Sequence, residues 1–216
     1  MNPAADPEAR TTLSPRPHRV LVLGASGTIG RATLQALAQR GHHPIAFVRK
    51  GCESLPALAA FEVRTGDVSD PQSVARDGIR AQRFDAILSC LASRNGAPKD
   101  AWLIDHQAHS HALAAAKAAG IAHIVLLSAI CVQKPMLAFQ HAKLAFEQEL
   151  MASGLVYSIV RPTAYFKSLS GQIERLRKGK PYLLIGDGTL TRCKPISDAD
   201  LGKYLALCLD CLLYTS

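Results

Sequence analysis

From His18 onward the chain alternates between short apolar runs and longer stretches whose apolar positions recur every three or four residues. VLVLGA, DAILSC, IVLLSA and YSIVRP are nearly continuous in aliphatic residues. Such runs suit strands buried on both faces, as in a parallel sheet covered by helices, rather than a half-exposed antiparallel one. HPIAFVR and FEVRTGDV supply two more strands. Between strands, TIGRATLQALAQRG places Ile29, Thr33, Leu34 and Leu37 at helical spacing, with Gly41 as the stop. DPQSVARDGIRAQ predicts a helix with Asp70 as N-cap and Pro71 at its first position. An alanine-rich helix follows from Asp100 to Gly120, and LAFQHAKLAFEQELMASG predicts another. Strand and helix in regular alternation predict a doubly wound α/β fold with Rossmann strand order.

From Thr163 the pattern loosens. KSLSGQIERLRKGKP reads as a polar helix, YLLIGDGTLTRCK as a hairpin over Gly186, Asp187 and Gly188, and SDADLGKYLALCLD as a capped helix. The expected organisation is a disordered lead over residues 1–17, a dinucleotide-binding domain over 18–162 and the start of a substrate-binding region over 163–210. The lead holds four prolines and no apolar core of a secretory signal. The ending CLLYTS follows a helix with no stop signal, so residues 211–216 are expected to be a non-native tail on a chain truncated near residue 210.

Composition narrows the function classes. The chain has 216 residues, 48% of them hydrophobic, which is enough for one substantial core. No apolar run approaches the roughly 18 residues of a membrane span. Six scattered cysteines form no framework, and an export signal is lacking, so the expected setting is reducing and cytoplasmic. Cys208 and Cys211 make one C-x-x-C without a second pair, and packing on a terminal helix is expected there rather than a metal. The net charge of +8 suits an anionic ligand. Basic and aromatic residues do not interleave, so nucleic acid is not expected as a partner. Nothing in the sequence sets an oligomeric state.

GASGTIG, between a strand and a helix, carries the clearest chemistry. Gly24 permits the tight turn, Gly27 lets a pyrophosphate approach the backbone, and Gly30 lets helix and sheet pack closely. Ser26, Thr28 and Ile29 complete the loop, and the helix N-terminus presents free N–H groups to the phosphates. Strand two ends in FVRK rather than an acidic residue; Arg49 suits a 2′-phosphate, which selects NADPH. Arg31 is a second candidate phosphate contact, and Asp67 in TGDV faces the expected adenine site. Ser89, Cys90 and Leu91 end strand four along the cofactor, with backbone contact expected there rather than thiol chemistry.

The G-x-x-G-x-x-G loop, TGDV, Ser128 at the end of strand five and Lys143 in the following helix resemble an extended or atypical short-chain dehydrogenase/reductase. More narrowly, SCLASR, FQHAKLAFEQEL, VRPTAYFKSLSGQ and GDGTLTRCKPISDADL resemble the NADPH-dependent divinyl chlorophyllide 8-vinyl reductases, over about Val20 to Asp210. The resemblance implies reduction of the 8-vinyl group of divinyl chlorophyllide or protochlorophyllide to ethyl. It departs from the reductase pattern at Phe139, where Tyr-x-x-x-Lys would place an acid. A carbonyl reductase must protonate a nascent alkoxide. A vinyl group conjugated to a macrocycle spreads its charge into the ring, so a phenol at that position is dispensable.

By that resemblance Lys143 binds the nicotinamide ribose, Ser128 lines the nicotinamide pocket, and Phe139 offers an apolar face to a flat substrate. Pro162 and Thr163, in the RPT that follows strand six, are expected near the carboxamide. Tyr165, Phe166 and Lys167 are candidates for the tetrapyrrole face. The proton donor stays open among Tyr165, a water and a residue further along the chain. Asp105 is assigned no catalysis. His106, His109 and His111 read as a solvated helix face. Arg175, Arg177, Lys178 and Lys180 read as a polar face, or as a dock for a substrate propionate or an anionic membrane surface. The competing readings are another atypical reductase of the isoflavone-reductase type and a non-catalytic NADP-sensing regulator.

Overall fold

The computed structural model describes residues 16–183, 187 and 194–210. Six parallel strands form one sheet in the order β3-β2-β1-β4-β5-β6. They are β1 (Arg19–Leu23), β2 (His43–Val48), β3 (Glu62–Thr65), β4 (Ala86–Ser89), β5 (His123–Leu127) and β6 (Val156–Val160). This is the doubly wound order that the alternation predicts, with the switch between β1 and β4. The continuous apolar runs have the reason anticipated. Val20 and Val22 enter the core layer shared with Leu34 and Leu205, while Leu21 and Leu23 enter the opposite layer with Phe146 and Leu113. Each aliphatic side chain buried in this way contributes about 1.5–3 kcal/mol.

Helix α1 (Thr28–Gln39) follows the glycine loop and stops at Gly41, whose φ is 81°. Short helix α2 (Pro98–Ala101) runs through a π-helical stretch, Trp102–Gln107, into α3 (Ala108–Ala118). After β5 comes α4 (Ala138–Met151). Gln140 holds its start, since its amide oxygen accepts from the N–H groups of Met136 at 2.6 Å and Leu137 at 2.9 Å. The last two helices are α5 (Phe166–Arg177) and α6 (Asp198–Asp210). Ser197 caps α6, its Oγ accepting from the N–H of Asp200 at 3.0 Å. Helix α6 lies on α1 with Gly202 against the backbone of Ala32, where a Cβ would stand 2.7 Å from the Ala32 carbonyl carbon. Leu201, Leu205 and Leu209 of α6 thus share the core of the sheet. Cys208 is buried there as a packing residue; Cys211 and most of the expected hairpin lie outside the described residues.

Two elements differ from expectation. The helix expected over 70–82 is only a π-helical turn, Val74–Ile79. Arg80 and Ala81 adopt φ of 55° and 52°, which ends it. Arg64, 2% exposed, anchors that end by donating to the carbonyl of Gly78 at 2.5 Å. Asp70 caps the preceding turn, its Oδ1 accepting from the N–H of Gln72 at 2.9 Å. The alanine-rich helix starts at Pro98 rather than Asp100, and its π-helical stretch rotates the faces that follow. His109 is therefore buried, not solvated.

Candidate active site

The carboxyl ends of β1, β2, β4 and β5 open onto a groove of about 690 Å³. Its floor is the glycine loop. Gly24 has φ of 72°, and a Cβ there would stand 2.7 Å from the Cys90 carbonyl oxygen. A Cβ on Gly30 would stand 2.2 Å from the Gly24 carbonyl oxygen. Only glycine allows loop, helix and β4 to close this tightly. The N-terminus of α1 meets the groove at Gly27, Thr28 and Ile29, and no acidic residue lies in its first turn. Its free N–H groups and positive dipole end suit a diphosphate.

Arg49 and Asp67 also line the groove. The Asp67 Oδ1 accepts from the N–H of Ser69 at 2.9 Å, which fixes the turn after β3. Ser26, Cys90 and Leu91 line the groove too. Burial pushes the Cys90 thiol up to about 12, so it stays protonated and chemically quiet. Ser89 is set behind this wall, with its hydroxyl 2.8 Å from Nε2 of His109. His109 in turn places Nδ1 2.9 Å from the carbonyl of Ile104, within the π-helical stretch. Burial lowers its pKa to about 3, so the ring is neutral. Arg31 is not among the groove-lining residues.

A second chamber of about 540 Å³ adjoins the groove, and Leu91, Ala92, Leu127 and Tyr165 line both. Phe139 and Lys143 stand one turn apart on α4 and both face this chamber. The Lys143 ammonium sits 3.0 Å from Oδ1 of Asp105, with the two side chains 9% and 1% exposed. The sequence alone assigns Asp105 no catalysis. The only signal for the pairing is an acidic residue in the helix after strand four. Ser128 follows β5 at the same chamber; its hydroxyl is buried and has no hydrogen-bond partner among the described residues. A buried orphan hydroxyl in a chamber wall is a group poised for a ligand. Tyr165 is held by a bridge to Ile196, and burial, with Cys90 and Asp198 nearby, raises its phenol to about 12.

Other expected site residues lie elsewhere. Arg161 is paired with the fully buried Glu147 of α4. Pro162 accepts from the N–H of Ile130 at 3.1 Å, and the Thr163 hydroxyl donates to the Lys194 carbonyl at 2.6 Å. Neither residue lines the groove or the chamber, because the chain has already turned toward α6. Phe166 is 57% exposed, and Lys167 reaches back to Thr28 rather than toward the chamber. No group of three or more potential metal ligands occurs among the described residues.

A glycine-floored groove at the switch point of a parallel sheet, continuous with a largely apolar chamber, defines a dinucleotide-binding scaffold. The chain belongs to the NAD(P)H-binding family, which it matches over residues 24–211. It is 46% identical over 204 residues to the divinyl chlorophyllide a 8-vinyl-reductase of Zea mays, covering 88% of this chain and 51% of that protein. The corresponding Arabidopsis thaliana reductase is 46% identical over 213 residues, 91% of this chain and 51% of its own length. The chain thus spans about half the length of the curated relatives it matches. Among solved structures, the NADPH complex of an Escherichia coli NADPH-dependent quinone oxidoreductase superposes with a TM-score of 0.70 at 24% identity. That superposition covers 88% of this chain and 64% of the other, and it shows the common fold.

Proposed function

We propose that this protein reduces the 8-vinyl group of divinyl chlorophyllide or protochlorophyllide to ethyl, with NADPH as reductant. The observation that carries the reading is Phe139 one turn before Lys143 in the chamber that continues the glycine-floored groove. Identity near 46% with the plant 8-vinyl-reductases supports the choice of substrate.

When bound, reduced nicotinamide supplies a hydride. The chain's residues do the rest. Gly24, Gly27 and Gly30 bring backbone close to the diphosphate, and the α1 N-terminus offsets its charge. Arg49 takes the 2′-phosphate with a planar fork. Lys143 would hold the ribose hydroxyls, and the orphaned Ser128 hydroxyl would donate on the carboxamide side of the pocket. Asp105 balances Lys143, so the chamber carries no net positive charge aimed at an alkoxide. Phe139 offers the macrocycle an apolar face in the chamber wall, where a phenol would serve only a carbonyl. The macrocycle accommodates the negative charge that follows hydride addition. Tyr165, which lines both cavities and keeps its proton at neutral pH, donates to the inner vinyl carbon.

No helix among the described residues is long and apolar enough to cross a membrane. Our reading of location is a cytoplasmic protein, peripheral to the photosynthetic membrane, with the basic end of α5 (Arg175, Arg177, Lys178 and Lys180) toward the anionic surface or the substrate propionate. The functional test is pigment absorbance. Protein, NADPH and divinyl chlorophyllide together should shift the Soret band to shorter wavelength as one double bond leaves the conjugated system. An unchanged spectrum with cofactor demonstrably bound refutes the substrate assignment.

A further inference from the structure

Lys167 is the second residue of α5; it does not itself line the groove, but its ammonium reaches Thr28, which does. Its Nζ lies 2.5 Å from Oγ1 of Thr28, the first residue of α1. That position is costly on its own terms. An ammonium near a helix N-terminus meets the positive end of the dipole and is repelled by it. The first turn of α1 has no acidic residue to offset it, and Gly27 as N-cap contributes no side chain. An anion bound at the helix end beside the ammonium replaces the repulsion with two attractions.

The lysine is brought there by the fold. Phe166 donates its N–H to the Ile196 carbonyl at 3.3 Å, and Ile196 donates to the Ala164 carbonyl at 2.9 Å. Ile196 leads through Ser197 into α6, which lies against α1 at Gly202. The strap carrying Tyr165, Phe166 and Lys167 is thereby referenced to the same helix whose N-terminus floors the groove.

Resting on the cofactor reading above, we propose that Lys167 clamps the diphosphate bridge of the bound dinucleotide against the N-terminus of α1, and that this contact orders the first turn of α5 beside Tyr165. The ligand chemistry is the diphosphate common to NADPH and NADH, not the 2′-phosphate. Lys167 is thus a binding and positioning residue supplied by the segment after β6, which closes over cofactor already seated on the glycine loop.

The test titrates wild type, Lys167→Met, Lys167→Arg and Arg49→Ala with NADPH and NADH, read by nicotinamide fluorescence, with hydrogen exchange over 166–177 measured with and without NADPH. Lys167→Met should weaken both nucleotides by about tenfold and equally, with an unchanged melting temperature. Lys167→Arg should stay within about threefold of wild type for both. Arg49→Ala should weaken NADPH alone. NADPH should slow exchange over 166–177 in wild type and not in Lys167→Met. If Lys167→Met binds both nucleotides within about twofold of wild type, or loses NADPH selectively, the clamp is wrong while the cofactor reading stands. If wild type binds neither nucleotide, the cofactor reading fails and the clamp falls with it.

Discussion

Replacing Asp105 with alanine leaves Lys143 without its partner in a wall that is almost closed to solvent. The two side chains are 9% and 1% exposed and their charged atoms are 3.0 Å apart. Breaking a fully buried pair by deleting one partner costs about 3–5 kcal/mol, most of it the stranded charge. Here the adjoining chamber of about 540 Å³ admits water to the ammonium, which brings the expected cost to about 2–3 kcal/mol. For a chain of this size each kcal/mol lowers the melting temperature by about 2–4 °C, so Asp105→Ala should melt about 4–12 °C lower. Removing both charges, in Asp105→Ala with Lys143→Met, should recover most of that loss, because no orphan charge remains. Urea unfolding followed by circular dichroism gives the four free energies of the cycle. The reasoning fails if Asp105→Ala costs less than about 0.5 kcal/mol, or if the two substitutions simply add.

Other outcomes follow from the same geometry. Gly30→Ala would push a methyl to 2.2 Å from the Gly24 carbonyl oxygen, so it should abolish NADPH binding measured by calorimetry while far-ultraviolet circular dichroism keeps its helical shape. Tyr165→Phe should lower the rate of pigment reduction by about 100-fold or more and leave the NADPH dissociation constant nearly unchanged; an unaltered rate would assign the proton to another donor. Acid should destabilise the fold from about pH 6.5 downward, because burial lowers His109 to about 3 and His123 to about 4. The unfolded chain binds more protons than the folded one in that window, so the melting temperature should drop as pH falls through it, and His123→Gln should flatten the drop.

The sheet and the glycine floor were legible because both rest on local periodicity and backbone need. Val20 to Leu23 fill both layers without a polar break, which only a covered strand tolerates. Gly24 and Gly30 stand where any side chain meets backbone. Phe139 and Lys143 could be placed on one wall because an ordinary helical turn separates them. His109 and Asp105 could not. The π-helical stretch Trp102–Gln107 shifts the register, so counting at 3.6 residues per turn puts His109 on a solvated face it does not occupy. Pro162 and Thr163 are expected near the carboxamide from their place after strand six, yet Pro162 accepts from Ile130 and Thr163 donates to Lys194, contacts set by packing beyond the local pattern. Lys167 meets Thr28 across 139 residues of sequence, a contact set by packing of α6 on α1 that no local pattern encodes.

The most direct test of the central claim follows an isotope. The protein, supplied with divinyl chlorophyllide and NADPH deuterated at the transferable C4 position, should yield a product heavier by one deuterium and one hydrogen. The deuterium should sit on the terminal carbon of the new ethyl group, as read by mass spectrometry and proton resonance. A product without deuterium at that carbon, or a pigment recovered unreduced from protein that holds NADPH, contradicts hydride transfer from this groove to the vinyl arm.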